Sequence, residues 1–385
     1  MSISSWFDDC PDRKDRPSLK WGKYSGRDIL PLWVADMDFR APPAVVDTAR
    51  KEAEFGNYGY AKCHPELTEA VLEYTNRLYD WKIDPNWIVW LPGMVCALNV
   101  CCRMQQDNAS QVLTHVPVYP PFLSAPGNFG LTCTQVPLRL QANRFSMDFE
   151  LMEKTPTQPG DLFLLCHPHN PVGTAFTNEE LERFSRWAEE RELLVCSDEI
   201  HCDLLLEPNL KHLPLANLNP KIAERTITLM APSKTYNLPG FGCSFAVISN
   251  PDIRLRFKKA MAGIVPDPPA MGFRLAEIAY RQGEEWRQAL LKYLRKNRDF
   301  ALERLHKMTG LTPYSPEATY LLWIDARELK AENPHRFFEE HGVGLSDGSD
   351  FGSPGFLRLN LGCSKSLLGQ ALDRMERACS SMVQQ

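Results

Sequence analysis

Short unbroken apolar runs alternate with amphipathic stretches through the middle of the chain. Residues 87–91 (Trp-Ile-Val-Trp-Leu) read as a strand, and Gly93 opens an apolar helical pattern that lasts through Met104. Residues 111–116, 162–166, 193–196, 226–230 and 245–248 are further strand candidates. Continuous apolar runs of this length suit parallel strands covered on both faces. Thr177-Asn178-Glu179-Glu180 has the form of a capping box, and an amphipathic helix follows to about Glu192. Strands that alternate with helices predict βαβ units and a mostly parallel sheet. Ligands of such sheets bind beyond the carboxyl ends of the strands. Residues just after strands therefore become candidates: Gly93, Tyr119, residues 167–170, Asp198 and Lys234.

The pattern changes after about Pro266. Asp267-Pro268-Pro269 reads as a hinge into helices over 273–281 and from 284 to about 307. A strand over 318–324, a strand over 356–361 and a helix over 364–379 follow. The stretch through about Ala41 is irregular, with Pro11, Pro17 and Pro31 and then Pro42 and Pro43 beyond it. No internal repeat or low-complexity tract is present.

Composition narrows the function classes. The 385 residues exceed what one ordinary core serves, and 44% apolar residues suffice for a substantial interior. The 43 basic and 48 acidic residues leave a net charge of −5, which disfavours a general nucleic-acid or anionic-membrane binder. No apolar stretch approaches the roughly 20 residues of a membrane helix. Met1 to Asp9 lack a basic region followed by an apolar run, so no secretory signal is expected. The 12 cysteines include no Cys-x-x-Cys, and Cys96, Cys101, Cys102, Cys166, Cys196 and Cys243 lie in apolar segments. Buried thiols behave as small hydrophobes, so a reducing, cytoplasmic compartment without structural disulfides is expected.

Several familiar motifs are missing, among them the Gly-x-Ser-x-Gly elbow, the phosphate loop ending in Gly-Lys-Ser/Thr, and Gly-x-Gly-x-x-Gly after a strand. His167 and His169 have no carboxylate or third histidine at ligand spacing, which argues against zinc. What remains is four segments at strand ends: Cys166-His167-Pro168-His169-Asn170-Pro171-Val172-Gly173, Ser197-Asp198-Glu199-Ile200-His201, Ala231-Pro232-Ser233-Lys234-Thr235-Tyr236-Asn237, and Phe356-Leu357-Arg358-Leu359-Asn360. Singly, each has an ordinary reading as a cap, a turn, a surface lysine or a structural ion pair.

In this order the four segments resemble the pyridoxal-phosphate enzymes of the aminotransferase fold (fold type I), along nearly the whole chain. Within that superfamily the chain is most similar to the MalY/PatB group of cystathionine β-lyase-like C–S lyases. The features of that subgroup are Pro31-Leu32-Trp33-Val34-Ala35-Asp36-Met37-Asp38-Phe39, the Asp198-Glu199-Ile200-His201 run, and the lysine segment extending to Asn237. The resemblance implies an α/β fold of two parts. A large cofactor-binding domain, residues 46–267, carries the mostly parallel sheet. A smaller α/β domain is formed by residues 268–385, joined by residues 1–45.

The resemblance also implies a site. Lys234 carries pyridoxal 5'-phosphate as a Schiff base and shuttles the substrate Cα proton, work that suits a desolvated lysine. Asp198 pairs with the pyridinium nitrogen and keeps the ring an electron sink. Tyr119 stacks on the ring, and these three are the expected catalytic residues. Asn170 bonds the ring 3′-oxygen and borders the substrate. Gly93, Met94 and Val95 offer the phosphate a helix N-terminus, joined by Ser233. Tyr60 reaches the phosphate from a partner subunit, which implies a homodimer. Arg358 clamps the amino-acid substrate's carboxylate.

There are three departures from the family pattern. Gly242 stands where many aminotransferases carry a phosphate-binding Arg, eight positions after the lysine. His201 stands where many carry Tyr, and reads as a cofactor contact or as a structural histidine. Met94-Val95-Cys96 replaces a more usual Val-Val-Pro. The expected reaction is β-elimination from L-cystathionine or another cysteine S-conjugate, giving pyruvate, ammonia and a thiol. An aminotransferase is the alternative, and an added role in binding a transcription regulator ranks below both.

Overall fold

The continuous apolar runs assemble into one seven-stranded sheet. The structure, a computed structural model, describes residues 5–383. Residues 1–4 and 384–385, at the outer ends of the first and last expected segments, lie outside the described residues. The strands of the large sheet are β1 (Ile88–Leu91), β2 (Gln111–Val116), β3 (Thr132–Pro137), β4 (Leu162–Cys166), β5 (Leu194–Asp198), β6 (Thr226–Met230) and β7 (Ser244–Val247). Their order is β1-β7-β6-β5-β4-β2-β3. Neighbours from β2 to β6 run parallel, and β7 is antiparallel to both β6 and β1.

Every residue of β4, β5 and β6 is buried, as strands covered on both faces require. The register sets Cys166 beside Asp198 and Asp198 beside Leu229, so the carboxyl ends of these three strands lie level. The segments that follow them therefore converge. Ser197 and Asp198 extend β5 beyond the run expected to end at residue 196, because the parallel ladder to β4 and β6 continues through them.

Helix Asn178–Glu190 begins with the full capping box of Thr177 and Glu180. Helix Ala270–Gln282 starts three residues before the expected 273, directly after Pro269, and packs on helices Pro43–Phe55 and Pro65–Tyr79. A second sheet holds β8 (Thr312–Tyr314), β9 (Leu321–Asp325), β10 (Ser346–Asp347) and β11 (Phe356–Asn360), in the order β8-β9-β11-β10 with all pairs antiparallel. The strand expected from residue 318 starts only at Leu321, since Thr319 adopts φ +73° and interrupts the extended chain. Helix Glu284–Leu305 packs against helix Lys365–Val383 beside this sheet. Leu30–Pro31 pairs in parallel with Val343–Gly344, which carries the N-terminal stretch to the second sheet. That stretch, expected to be irregular, also contains a short helix, Leu19–Gly22, capped by Ser18.

All twelve cysteines are free thiols, and Cys96, expected to be buried, is half-buried. Among the described residues no helix is long and apolar enough to cross a membrane.

Candidate active site

A cavity of about 610 Å³ opens where β4, β5 and β6 end. It is lined by ten of the eleven expected residues: Gly93, Met94, Val95, Tyr119, Asn170, Asp198, His201, Ser233, Lys234 and Arg358. Tyr60 is the exception. It stands fully exposed, near exposed Phe55 and Tyr58, in the loop before helix Pro65–Tyr79.

Lys234 follows β6 and projects into the cavity, half-buried. Its Nζ donates to the carbonyl of Ala35 at 2.5 Å. Burial, then the charge of Arg358, push its ammonium down to about 8, against the pull of Asp36 and Asp198. The chain just after it is pinned. Thr235 Oγ1 donates to buried Asp203 at 2.8 Å. Asn237, at φ +56°, accepts from Met37 N at 3.1 Å and donates to the carbonyls of Met37 and Phe39 at 2.9 and 2.8 Å.

Asp198 ends β5 and is only 3% exposed. Its Oδ1 accepts the Ile200 N–H at 3.1 Å, and Oδ2 has no hydrogen-bond partner among the described residues. Burial pushes its carboxyl up to about 7, despite that N–H and Lys234. Such a carboxylate calls for a buried cationic donor. His201, three residues on, is buried with Nδ1 unpartnered. Burial, then Lys234 and Arg358, push it down to about 3, so it is neutral near pH 7.

Arg358 comes from β11 in the second sheet. It donates to Asn170 Oδ1 at 3.0 Å, to the Trp33 carbonyl at 2.8 Å and to Ser346 Oγ at 3.2 Å, with its Nε unpartnered. Its partners are neutral, and burial pushes its guanidinium down to about 10. A buried cation without a carboxylate is a receptor for one. Tyr119 is tied to the same wall, donating its N–H to the carbonyl of Asn170 at 3.1 Å.

At the inner end, helix Met94–Gln105 begins at Gly93 with no side-chain cap. The first-turn N–H groups are free for an anion. Gly242 lies beside them at φ +56°, and a Cβ there would sit 3.3 Å from the Pro92 carbonyl. An arginine at that position would be strained in this loop.

Sequence reasoning missed one component. Residues 33–39 form a strap across the cavity, held through main-chain carbonyls. Besides the bonds from Lys234, Arg358 and Asn237, Tyr320 Oη donates to Ala35 O at 2.9 Å, and Asn360 donates to Val34 O and Asp36 O, each at 2.7 Å. Behind it, fully buried Lys20 pairs with Asp38 at 2.8 Å, and Arg13 reaches Asp36 at 2.6 Å and Asp38 at 2.9 Å. The motif Pro31 to Phe39 was the available signal.

These residues fit pyridoxal phosphate. A lysine whose ammonium burial makes easier to deprotonate meets an aldehyde, the free Asp198 oxygen meets a ring N–H⁺, and an uncapped helix start meets a phosphate. His167 and His169 take no part. His167 stacks on His212 with ring centres 4.6 Å apart, and His169 is held between the carbonyls of Cys166 and Pro117 at 3.1 and 2.7 Å. Among the described residues no cluster of metal-ligating side chains exists.

Comparison with known proteins adds four likenesses. The family model for aminotransferase class I and II matches residues 27–375. The cystathionine beta-lyase PatB of Bacillus subtilis (strain 168) is 33% identical, covering 97% of this chain and 100% of its own. Among solved structures, OvoB superposes with a TM-score of 0.95 at 44% identity, over 97% of this chain and 99% of its own. Cystalysin from Treponema denticola, whose structure contains a pyridoxal 5'-phosphate cofactor, superposes with a TM-score of 0.91 at 31% identity, over 97% of this chain and 98% of its own.

Proposed function

The chain belongs to the aminotransferase class I and II family, and on that premise we propose that it is a pyridoxal-phosphate-dependent carbon–sulfur β-lyase. Its substrates are L-cystathionine or other cysteine S-conjugates, and its products are pyruvate, ammonia and a thiol. The observation that carries the reading is one cavity that brings together Lys234, the buried carboxylate of Asp198 and the buried guanidinium of Arg358, which has no anionic partner. The name of the full-length relative PatB supports elimination over amino-group transfer.

Pyridoxal phosphate, when bound, supplies an electron-withdrawing ring that stabilises negative charge at the substrate Cα. The protein's own residues do the rest. The free first-turn N–H groups at Gly93, Met94 and Val95, with the Ser233 hydroxyl, hold the phosphate. Asp198 accepts the ring N–H through its unpartnered oxygen, and Tyr119 covers the ring face. Asn170 and His201 border the ring oxygen. Arg358 takes the substrate α-carboxylate, with Asn170 fixing the guanidinium. That places the Cα–H toward Lys234, whose free amine takes the proton at Nζ and holds it. Loss of the thiolate from Cβ would follow, the proton on Nζ would pass to the departing sulfur, and water would hydrolyse the three-carbon enamine left behind to pyruvate and ammonia.

The same reading divides the chain at 1–45, 46–267 and 268–385, and the pairing of Leu30–Pro31 with Val343–Gly344 supports joining the first piece to the last. It makes the enzyme a homodimer in which Tyr60 serves the partner's phosphate, supported by the full exposure of Tyr60 beside Phe55 and Tyr58. Twelve free thiols are consistent with a cytoplasmic setting. The test is thiol release from L-cystathionine by the cofactor-loaded enzyme and by its Lys234→Ala variant. Release by the former alone is expected. Absence of thiol from the former for every cysteine S-conjugate tried would overturn the reading.

A further inference from the structure

Behind the cavity, the turn that follows Asp198 and the loop that carries Lys234 meet at one buried carboxylate, Asp203. Neither Asp203 nor Thr235, its partner in that loop, lines the cavity, and the proposed chemistry gives them no role. The turn is tight. Asp198 Oδ1 accepts the Ile200 N–H at 3.1 Å, Cys202 N donates to Glu199 O at 3.0 Å, and Leu204 N donates to His201 O at 3.0 Å. Asp198, His201 and Asp203 therefore form one piece. In the lysine loop, Tyr236 N donates to Pro232 O and Leu238 N to Ser233 O, each at 2.9 Å. Lys234 and Thr235 lie inside these bonds, so they form a second piece.

The two pieces are joined by Thr235 Oγ1, which donates to Asp203 Oδ2 at 2.8 Å. Asp203 Oδ1 accepts the hydroxyl of Tyr79, at the end of helix Pro65–Tyr79. Arg287 donates to the main-chain carbonyl of Asp203 at 3.1 Å and gives its other nitrogens to Glu284 at 3.1 and 2.7 Å. Among the described residues no cationic nitrogen comes within 4.0 Å of the Asp203 carboxylate. A carboxylate this deep, held by hydroxyls alone, costs stability that an apolar pair of the same shape would not. What it supplies is direction, since a hydroxyl that donates to an ionised oxygen makes a short, strong and oriented bond.

Direction matters because of what each piece carries. On the proposed reading, Asp198 takes the ring nitrogen and Lys234 takes the aldehyde carbon, which lie at opposite ends of one rigid ring. The ring cannot adapt its length, so the protein must set the spacing of the two side chains. We infer that Asp203, acting through Thr235, is a positioning residue that fixes the spacing of Lys234 from Asp198 and so favours covalent attachment of the cofactor over its binding alone. The inference rests on the roles proposed for Lys234 and Asp198, and adds a residue that touches neither cofactor nor substrate.

The experiment separates attachment from binding. Apo-protein is titrated by equilibrium dialysis with pyridoxal 5'-phosphate and with 4'-deoxypyridoxine 5'-phosphate, which keeps the ring, its nitrogen and the phosphate but has a methyl group in place of the aldehyde. The dissociation constant of the deoxy compound divided by that of the aldehyde reports the bond to Lys234. Thr235→Val keeps the shape of the side chain and removes the hydroxyl. It is expected to lower this ratio about tenfold, while the deoxy compound binds within about twofold of the parent. Thr235→Ser should restore the ratio. Asp203→Ala, alone or combined with Thr235→Val, should give the same drop of about tenfold, because all three variants remove one shared bond. Lys234→Ala should abolish the preference for the aldehyde.

A ratio unmoved by Thr235→Val overturns this assignment, and so does an equal loss of affinity for both ligands, which marks a general loosening of the fold. Failure of Thr235→Ser to restore the ratio, or a double variant whose drop is the product of the two single drops, overturns it as well. Where Asp203→Ala does not fold, Thr235→Val and Thr235→Ser decide. A ratio that Lys234→Ala leaves unchanged overturns the reading of Lys234 and this assignment with it.

Discussion

At Lys234 and Asp198 the fold does to single residues what water would not allow. An ammonium at its usual 10.5 is deprotonated in only about three molecules in ten thousand at pH 7, whereas one near 8 is free in roughly one in ten. Burial beside Arg358 makes that difference. Covalent loading of the apo-protein with pyridoxal phosphate should therefore rise with pH up to about 8 and level off above it, a course that absorbance-detected mixing between pH 6 and 9 follows. A rise that continues past pH 9.5 would mean an unshifted lysine. Lys234→Ala should keep the far-ultraviolet circular dichroism of the parent and lose the borohydride-fixed pyridoxyl group; a pyridoxyl label retained elsewhere would move the assignment. Asp198→Ala should weaken cofactor retention and slow turnover about 100-fold or more, the scale on which a buried, preorganised electrostatic partner counts. Near-normal turnover would remove its role.

At the level of elements, the site is held by turns and a strap. Gly173, at φ +72°, closes the Asn170 turn, and a Cβ there would collide with Pro316, whose Cα would lie at 2.8 Å. Gly173→Ala should cost about 2 kcal/mol or more in a denaturant titration, since both the backbone and the contact are violated. Asn237→Ala removes three bonds to the strap, and a loss of about 2 kcal/mol with a raised KM is expected; stability equal to the parent would show the strap to be held by the other anchors. Much of this frame is legible in the sequence. β2, β4 and β6 coincide with the apolar runs over 111–116, 162–166 and 226–230, because burial on both faces writes itself as an unbroken run. β3 escapes notice since it is an edge strand with mostly exposed or half-buried residues. Helices Pro43–Phe55 and Pro65–Tyr79 have no side-chain cap, and their start signal is the proline at the first helical position. Helix Pro251–Met261 did carry its signals, in Asn250 and the basic last turn. The strap itself shows in the sequence as the motif Pro31 to Phe39, but the way it holds the site does not, because it acts through the carbonyls of Trp33, Val34, Ala35 and Asp36, and every residue type has a carbonyl.

For the whole molecule, the buried histidines set the response to acid. His115, His167, His201 and His212 are pushed down to about 3 and His169 to about 4, burial being the leading cause in each. Unfolded, each titrates near 6.5, so the unfolded chain binds more protons between about pH 6.5 and 3, and stability falls as the pH falls through that window. Asp198 and Glu199, pushed up to about 7, work in the opposite sense, costing stability as the pH rises from about 4 to 7. Five groups outweigh two, so the apo-protein should melt several degrees lower at pH 5 than at pH 7. His115→Phe, in a pocket already formed by Phe163 and Phe176, should flatten that slope by about one proton. A melting temperature that rises toward pH 5 would contradict the account.

The β-lyase assignment concerns the molecule entire, strap, cavity and cofactor together. The most direct measurement follows pyruvate and thiol side by side from the holoenzyme and L-cystathionine, with no 2-oxo acid present. Equal release of both, sustained over many turnovers, is the predicted result. A single stalled turnover without pyruvate, restored only by adding a 2-oxo acid, would contradict it and make the protein an aminotransferase.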